Sequence, residues 1–197
     1  MSLTTGYHPV PDGHVAAVVT HLEMTRRQML DAPALPHGTT IAQEQMDNDA
    51  YRALFRAIGA PWLWSSRLLM SDSDLAAILT DAAVETWSVR QGEAPIGWLH
   101  LEFRTSHVCE LAVFGSVQDA TGQRLGLPMI AFAQARAFAK PIDRFHVHTC
   151  TLDAPQALPF YQKVGFTAYK REIEIMPDPR IMDTLPMSAA KHIPCIR

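Results

Sequence analysis

Three consecutive strand signals in the middle of the chain limit its fold more than any other feature of the sequence. Residues 84–104 (VETWSVRQGEAPIGWLHLEFR) read as two strands joined by a Gln-Gly-Glu turn, and residues 107–117 (HVCELAVFGSV) read as a third. A long helix between Gly122 and Lys140 and a strand over 142–151 follow them. An antiparallel meander that leads into a strand–helix–strand crossover favours a mixed α+β sheet. It does not fit a fully parallel nucleotide-binding sheet.

The remaining elements follow from shorter patterns. Runs of β-branched residues predict strands, apolar residues at helical spacing predict helices, and clusters of proline and glycine predict loops. A C-terminal extension without a clear period is expected to wrap the body or to be partly disordered. The predicted elements are strands over 15–24 and 167–175, helices over 46–59, 71–81 and from Ala157 to Gly165, a loop over 31–40, and this extension over 176–197.

The composition is that of one globular domain: of 197 residues, 48% are hydrophobic and 19% are charged. No linker divides the chain, so we predict a single domain over residues 1–197. The formal net charge of -3 gives no attraction to nucleic acid or anionic lipid. No apolar run is long enough to span a membrane, and the N-terminus lacks the features of a signal peptide. Three cysteines without CxxC spacing favour reduced thiols, and together these features predict a cytoplasmic protein.

Two short motifs carry functional information. The first is Thr121-Gly122-Gln123-Arg124-Leu125-Gly126, a glycine-containing turn at the start of the long helix. Such a turn points backbone N–H groups at a pyrophosphate, and glycine lets the backbone come close to it. The second is Ala157-x-x-x-Tyr161-x-Lys163-x-Gly165-Phe166, which follows after one helix and one strand. In this order the two motifs resemble those of the GNAT superfamily of acyl-CoA-dependent N-acyltransferases.

The resemblance covers roughly residues 12–175 and implies a mixed, mostly antiparallel sheet with splayed central strands, flanked by helices. The second motif is close to the family signature A-x-x-x-Y-x-x-x-G-F. The first departs from the family pattern (Arg/Gln)-x-x-Gly-x-(Gly/Ala), because Thr121 stands where Arg or Gln is usual and Arg124 stands at the usual middle glycine. The guanidinium of Arg124 is still able to pair with a phosphate of CoA.

The resemblance also implies the chemistry: transfer of an acetyl group from acetyl-CoA to a primary amine, by direct attack in a ternary complex. Tyr161 is the implied acid that protonates the CoA thiolate, since a phenol stays protonated at neutral pH. The alternative is that its ring only packs beside the pantetheine arm. No metal is expected to take part.

Glu110 falls where some acetyltransferases place a glutamate base. It is expected to share a strand face with Ala112 and Phe114, and burial is expected to raise its pKa towards a useful value. The alternatives are a structural salt bridge, a hydrogen bond to the substrate amine, or deprotonation of the amine through ordered water.

The strand that carries Glu110 is also implied to bind the pantetheine arm by β-like hydrogen bonds. One of its backbone N–H groups would polarise the thioester carbonyl, beside a bulge for which Gly115 is the natural position. The expected cofactor residues are Val113, Phe114, Gly115, Ser116, Val117, Thr121, Gly122, Gln123, Arg124, Leu125, Gly126 and Tyr161.

The acceptor site is expected near the first two helices and the strand ends, with Trp62, Trp64, Arg67 and His148 as its residues. Paired tryptophans with an arginine are able to hold an aromatic or carboxylate-bearing amine. The alternative is that both tryptophans pack the helix junction onto the sheet. A small-molecule amine is the expected acceptor, with a basic peptide as the alternative. Exposed edge strands are compatible with a homodimer.

Two other classes of function remain open. His146, His148 and Cys150 alternate along one strand and would face the same way, with Asp153 near them, and zinc accepts such ligands. Neighbours on one strand face rarely converge tetrahedrally, however, so we expect no metal site. The second is a non-catalytic acyl-CoA-binding module, for which the degenerate loop with Thr121 and Arg124 is the only support.

Overall fold

A computed structural model describes residues 3–197, so the first two residues of the predicted domain lie outside the described residues. One seven-stranded sheet has the order β2-β3-β4-β5-β6-β1-β7. Its strands are β1 (His14–Met24), β2 (Thr39–Gln43), β3 (Val84–Gln91), β4 (Ala94–Glu102), β5 (Val108–Ser116), β6 (Arg144–Cys150) and β7 (Thr167–Pro177). The helices are α1 (Asn48–Gly59), α2 (Asp72–Leu79), α3 (Gly126–Ala137) and α4 (Ala157–Lys163), with short 3-10 turns at Ala60–Trp62 and Gln118–Ala120.

Only the β5–β6 pair is parallel, and the other neighbouring strands are antiparallel. This arrangement confirms the predicted α+β class and the mostly antiparallel sheet. The predicted meander is β3–β4–β5, and the crossover is β5–α3–β6. Within residues 3–197, no helix combines the length and the apolar character needed to cross a membrane.

Three details differ from the predicted elements. The predicted loop over 31–40 runs into a short edge strand, β2, which pairs with β3. Helix α3 begins at Gly126 rather than at Gly122, because Gly122 (φ 87°) and Arg124 (φ 60°) have a left-handed backbone that no α-helix continues. Strand β1 comes first in the sequence but lies between β6 and β7, a position that its sequence does not reveal.

Helices cover both faces of the sheet and bury two cores. On one face, Met129, Ile130 and Ala133 of α3 pack against buried residues of β4, β5 and β6. On the other, α1 and α2 pack against Trp98 of β4 and Val113 of β5. The sheet is therefore the central layer, and any site at its middle is held by packing from both sides.

The parallel pairing of β5 with β6 is short. It comprises Val108↔Arg144, Cys109↔Phe145 and Glu110↔His146, after which the two strands diverge. The predicted splaying of the central strands is thus present. Beyond Glu110, the edge of β5 that faces β6 has no strand partner.

The C-terminal extension, residues 178–197, has no helix or strand, yet it packs onto the body. Leu185, Ala189 and Ala190 are buried in a third cluster with Val15 and Leu63. The backbone N–H of Gly13 also donates to the carbonyl of Ile196 at 3.0 Å. The extension therefore wraps the body at the start of β1.

The α3 core makes a testable contribution to stability. Ile130 is fully buried on α3, whereas Ile173 on the edge strand β7 is 49% exposed. Ile130→Ala is expected to lower the free energy of unfolding by about 2–5 kcal/mol, because it removes buried methyl groups and leaves a cavity. Urea unfolding measures the change, and Ile173→Ala is the matched control with a much smaller effect. Equal losses for both variants would show that the core is assigned wrongly.

Candidate active site

A cleft of about 1520 Å³ opens where β5 and β6 part. One end is bordered by β5, by the loop Thr121–Gly126 and by α4. The other end is bordered by residues 60–67, by β7 and by the C-terminal residues 186–192. All the site residues predicted from the sequence line this cleft except Val117 and Gln123. Two motifs that are distant in the sequence therefore border one space.

The bulge in β5 lies at Ala112 and not at Gly115. Leu101 pairs with Leu111 and His100 pairs with Val113, so Ala112 is the extra residue without an opposite partner. The predicted bulge at Gly115 is therefore wrong.

Gly115 has a different role. A Cβ at this position would lie 2.7 Å from Cγ2 of Ile58, so the glycine lets α1 pack closely on β5.

The bulge also reverses the alternation of side chains along β5. Cys109 and Leu111 lie in the α3 core, whereas Val113 lies in the α1 core. Glu110 consequently projects to the α1 face, while Phe114 stacks on Phe160 of α4 at 5.9 Å between ring centroids. The prediction that Glu110 and Phe114 share a face is wrong, because one extra residue shifts the two-residue period by one.

The loop at the start of α3 has the geometry of an anion site. Leu125 is the N-cap of α3 and makes no side-chain capping bond, so the first N–H groups of the helix are left for another acceptor. Arg124 precedes it and lines the cleft. A Cβ on Gly126 would meet the Phe160 ring at 3.5 Å, an ordinary contact.

Val117 and Gln123 lie outside the cleft lining. Val117 packs against both cores, and its N–H donates to the carbonyl of Ile96 at 3.0 Å. The side-chain amide of Gln123 contacts the carbonyl of Asp119 at 3.5 Å.

Tyr161 both packs in the core and faces the cleft. Its side chain is 7% exposed, with ring centroids 5.8 Å from Phe166 and 6.1 Å from Phe114. Among residues 3–197 its hydroxyl has no hydrogen-bond partner. Burial, with a smaller effect of the Asp153 charge, raises the pKa of Tyr161 well above its usual value. The phenol is therefore protonated at neutral pH and able to donate.

Glu110 and His148 form a pair in the lining of the cleft, with 3.6 Å between Oε1 and Nδ1. The contact with His148 is the largest influence on the pKa of Glu110 and lowers it, against the opposing effect of burial. The expected rise in the pKa of Glu110 is therefore wrong, because His148 outweighs desolvation. The Glu110 carboxylate in turn raises the pKa of His148. Neighbouring His146 has a lowered pKa, chiefly through burial.

Arg67 lines the cleft, but its guanidinium is bound to Glu102. Glu102 is 5% exposed and also accepts from Arg104, at 2.8 Å from Nε. Burial lowers the pKa of the adjacent His100 to about 3, so this ring is neutral and bonds the Tyr51 hydroxyl at 3.0 Å. The charge of Arg67 is thus largely compensated from within the protein.

The two tryptophans have different surroundings. The indole N–H of Trp64 donates to Oδ1 of Asp153 at 2.7 Å, and its ring packs on Gly59, which agrees with the packing alternative. Trp62 contacts the ring of His192, at 6.2 Å between centroids. Sequence reasoning missed His192 and its neighbours, because residues 186–192 carry no periodic pattern.

The metal alternative finds no support in the described part of the chain. Among residues 3–197, no group of three His, Cys, Asp or Glu side chains is placed to hold a metal ion. His148 contacts Glu110 instead, and the thiol of Cys150, the third proposed ligand, has its pKa raised to about 11 by burial and neighbouring carboxylates.

Comparison with known proteins identifies the family and the fold of this chain. The sequence profile described as the acetyltransferase (GNAT) family matches residues 44–166. No curated protein matches the sequence.

Solved structures show the same fold at low sequence identity. A GCN5-related N-acetyltransferase from Kribbella flavida superposes with a TM-score of 0.56 and 18% identity, over 87% of this chain and 63% of that one. A GCN5-related N-acetyltransferase from Sphaerobacter thermophilus gives 0.59 and 17%, over 87% of this chain and 53% of that one. This chain thus spans less than two thirds of either protein.

A third neighbour is an aminoglycoside acetyltransferase from an uncultured soil metagenomic sample, in complex with sisomicin. Its TM-score is 0.57 at 14% identity, and the match covers 72% of this chain and 96% of that one. At these identities the likeness establishes the fold alone.

The role assigned to Gly115 has a direct test. Gly115→Ala is expected to lower the free energy of unfolding by about 1–3 kcal/mol, because its methyl group would overlap Ile58. Gly126→Ala is the matched control, since its methyl group would make only ordinary contact with Phe160. Urea unfolding of both variants measures the difference. If Gly115→Ala is as stable as the control, close packing of α1 on β5 does not require this glycine.

Proposed function

This chain belongs to the GNAT acetyltransferase family, and on that premise we propose that it is an N-acetyltransferase that moves the acetyl group of acetyl-CoA to a primary amine of a small molecule. The reaction would proceed by direct attack in a ternary complex. The observation that carries the proposal is that the loop Thr121–Gly126 and Tyr161 line one cleft, which opens where β5 leaves β6.

The residues at one end of the cleft fit acetyl-CoA. The uncapped start of α3 and the Arg124 guanidinium are suited to the phosphates. The edge of β5 from Ala112 to Ser116 has no strand partner on the side of β6, and its backbone groups are suited to the amides of the pantetheine arm. The bulge at Ala112 lies at the start of this edge and turns the backbone there, which supports this position for the N–H that polarises the thioester carbonyl.

In this proposal Tyr161 donates one proton, and the Glu110–His148 pair accepts another. The neutral hydroxyl of Tyr161 donates a proton to the departing CoA sulfur. His148 takes a proton from the acceptor ammonium, and Glu110 orients the imidazole and raises its pKa. Glu110 with its lowered pKa is the weaker base of the two, so its assigned role changes from base to the partner of the base.

A small-molecule acceptor is part of the proposal. The structural neighbour that acetylates aminoglycosides supports a small amine, and the carboxylates of Glu110, Asp153 and Glu174 along the cleft favour a cationic one. Because Arg67 is bound to Glu102, a carboxylate-bearing acceptor has less support.

We further propose a cytoplasmic location, in keeping with the free thiols of Cys109, Cys150 and Cys195. We also propose a homodimer through the exposed edge strand β7, which light scattering would test.

The alternative is an acyl-CoA-binding module without catalysis, favoured by Arg124 in place of the usual loop glycine. Calorimetry with acetyl-CoA and release of free CoA thiol on a panel of amines separate the two functions. Binding with turnover supports the transferase, and binding without turnover on any amine supports the module. No binding of acetyl-CoA would contradict both.

Tyr161→Phe tests the acid role. The variant keeps the ring that packs on Phe114 and Phe166 but loses the proton donor. We expect kcat to fall at least about tenfold, with the dissociation constant of acetyl-CoA nearly unchanged. Wild-type turnover would leave Tyr161 with a packing role only.

The pH dependence of kcat/KM identifies the base. If neutral His148 is required, activity rises with pH through a pKa above about 6.5, since Glu110 raises it. Glu110→Gln removes the largest cause of that rise, so the low-pH limb should move to lower pH. Glu174→Gln is the matched control with a smaller shift, because Glu174 has the smallest effect of the contributing groups. A wild-type limb below about pH 4.5 that disappears in Glu110→Gln would make Glu110 itself the base.

A further inference from the structure

The C-terminal segment, residues 178–197, forms one wall of the cleft. Pro186, Ser188 and the run Ala189–His192 line the end of the cleft opposite the loop Thr121–Gly126. The same run is anchored underneath, because Ala189 and Ala190 are buried against Val15 and Leu63. The segment thus has one face in a core and the other towards the cleft.

One buried side chain gives this irregular segment its shape. Arg180 is 3% exposed, and its Nη1 donates to the carbonyl oxygens of Ile193 (2.9 Å), Ala190 (3.3 Å) and Ala189 (3.4 Å). Its Nη2 donates to the carbonyl of Pro194 at 3.3 Å and to Oδ2 of Asp178 at 2.7 Å.

Asp178 is itself 1% exposed and ties the start of the segment to the body, since its N–H donates to the carbonyl of Gly13 at 2.8 Å. A planar guanidinium with its donors satisfied by four carbonyls and a carboxylate fixes the relative position of all these groups. The wall is therefore held in one conformation without a helix or a strand.

Besides the packing of Leu63 on Ala189 and Ala190, the wall meets the segment 60–67 in an aromatic contact. The ring of His192 lies edge-on to Trp62, with 6.2 Å between centroids and 70° between planes. Trp62 belongs to the 3-10 turn after α1, so this contact joins the two sides at the acceptor end. Alanines, a proline and a tryptophan give this end apolar surface beside the polar Ser188, Lys191 and His192, while Glu110 and Glu174 bring carboxylates to the same cleft.

We propose that the C-terminal segment determines acceptor specificity, with Arg180 as its positioning residue. The carbon body of the acceptor lies against the surface that Trp62 and residues 186–192 form together, and its ammonium group faces Glu110 and Glu174. The preferred acceptor is then a primary amine on an apolar alkyl or aryl body, and not a highly hydrated polyamine. This inference rests on the proposed acetyltransferase function.

The test compares acceptor kinetics of the wild type with Arg180→Lys, Trp62→Ala and His192→Ala. Lysine keeps the charge of residue 180 but cannot reach four carbonyls at once. Arg90→Lys is the matched control, because Arg90 bonds Glu44 at 2.6 Å near the opposite edge of the sheet. The amines are phenethylamine, with an apolar body, and spermidine, with three amino groups.

We expect the wild type to favour phenethylamine in kcat/KM. Each of the three variants should raise KM for phenethylamine roughly tenfold or more, with the KM of acetyl-CoA unchanged within about twofold. A purely structural role would move both KM values together. Amide hydrogen exchange should also show faster exchange of residues 189–196 in Arg180→Lys, with α3 unaffected. The control should match the wild type.

Unchanged KM for phenethylamine in Trp62→Ala and His192→Ala would overturn the proposal, even if Arg180→Lys does not fold. A wild-type preference for spermidine would overturn the assigned class of acceptor. Failure of the acetyltransferase function is a separate result: the wild type would then bind no acetyl-CoA in calorimetry or release no thiol with any amine of the panel, and the specificity role would fall with it. Turnover of other amines but not of phenethylamine would overturn only the assigned class of acceptor.

Discussion

The parting of β5 from β6 is the constraint on which the rest of the site depends. The two strands pair for three residues only, after which an extra residue at Ala112 turns β5 away. This divergence leaves a row of backbone N–H and C=O groups on β5 without a strand partner. Backbone polar groups require partners, so an extended ligand with amide groups or water must complete the sheet at this edge. The cleft and the unpaired edge are two results of one local departure from regular pairing, and Glu110 lies at the last β5–β6 pair before it.

The regular elements could be predicted from the sequence because their periods are local. The meander over 84–117, helix α3 and the turn at Gly165 (φ 102°) follow from alternation, helical spacing and a glycine at a left-handed position. The bulge at Ala112 could not be predicted, because alanine is not typical of bulges. Glycine is typical of them, and it indicated the wrong position, Gly115. That glycine is explained only by Ile58, a residue distant in the sequence that packs against it.

The charges of the site residues also depend in part on contacts that the sequence does not reveal. A carboxylate in an apolar strand is expected to have a raised pKa, and burial does oppose ionisation of Glu110. The contact with His148 reverses the outcome, because a favourable neighbour at 3.6 Å outweighs partial desolvation. Arg67 follows the same rule: its side chain lines the cleft, yet Glu102 from β4 binds its guanidinium. The sequence shows which side chains are titratable. Their contacts in the fold decide their charge and whether they are free to bind a ligand.

The two ends of the cleft therefore consist of different kinds of structure. This difference explains why the sequence motifs indicate one end and not the other. The end that we assign to acetyl-CoA consists of a strand edge, a glycine turn and a helix start, whose backbone geometry requires particular residue types at fixed spacing. The other end consists of a 3-10 turn and an aperiodic segment that the hydrogen bonds of Arg180 hold together. A buried guanidinium bonds carbonyl oxygens, which every residue possesses, so these bonds require no particular side chains in the segment they hold. A chain can therefore keep its cofactor motifs recognisable while the wall that we assign to the acceptor leaves no sequence pattern.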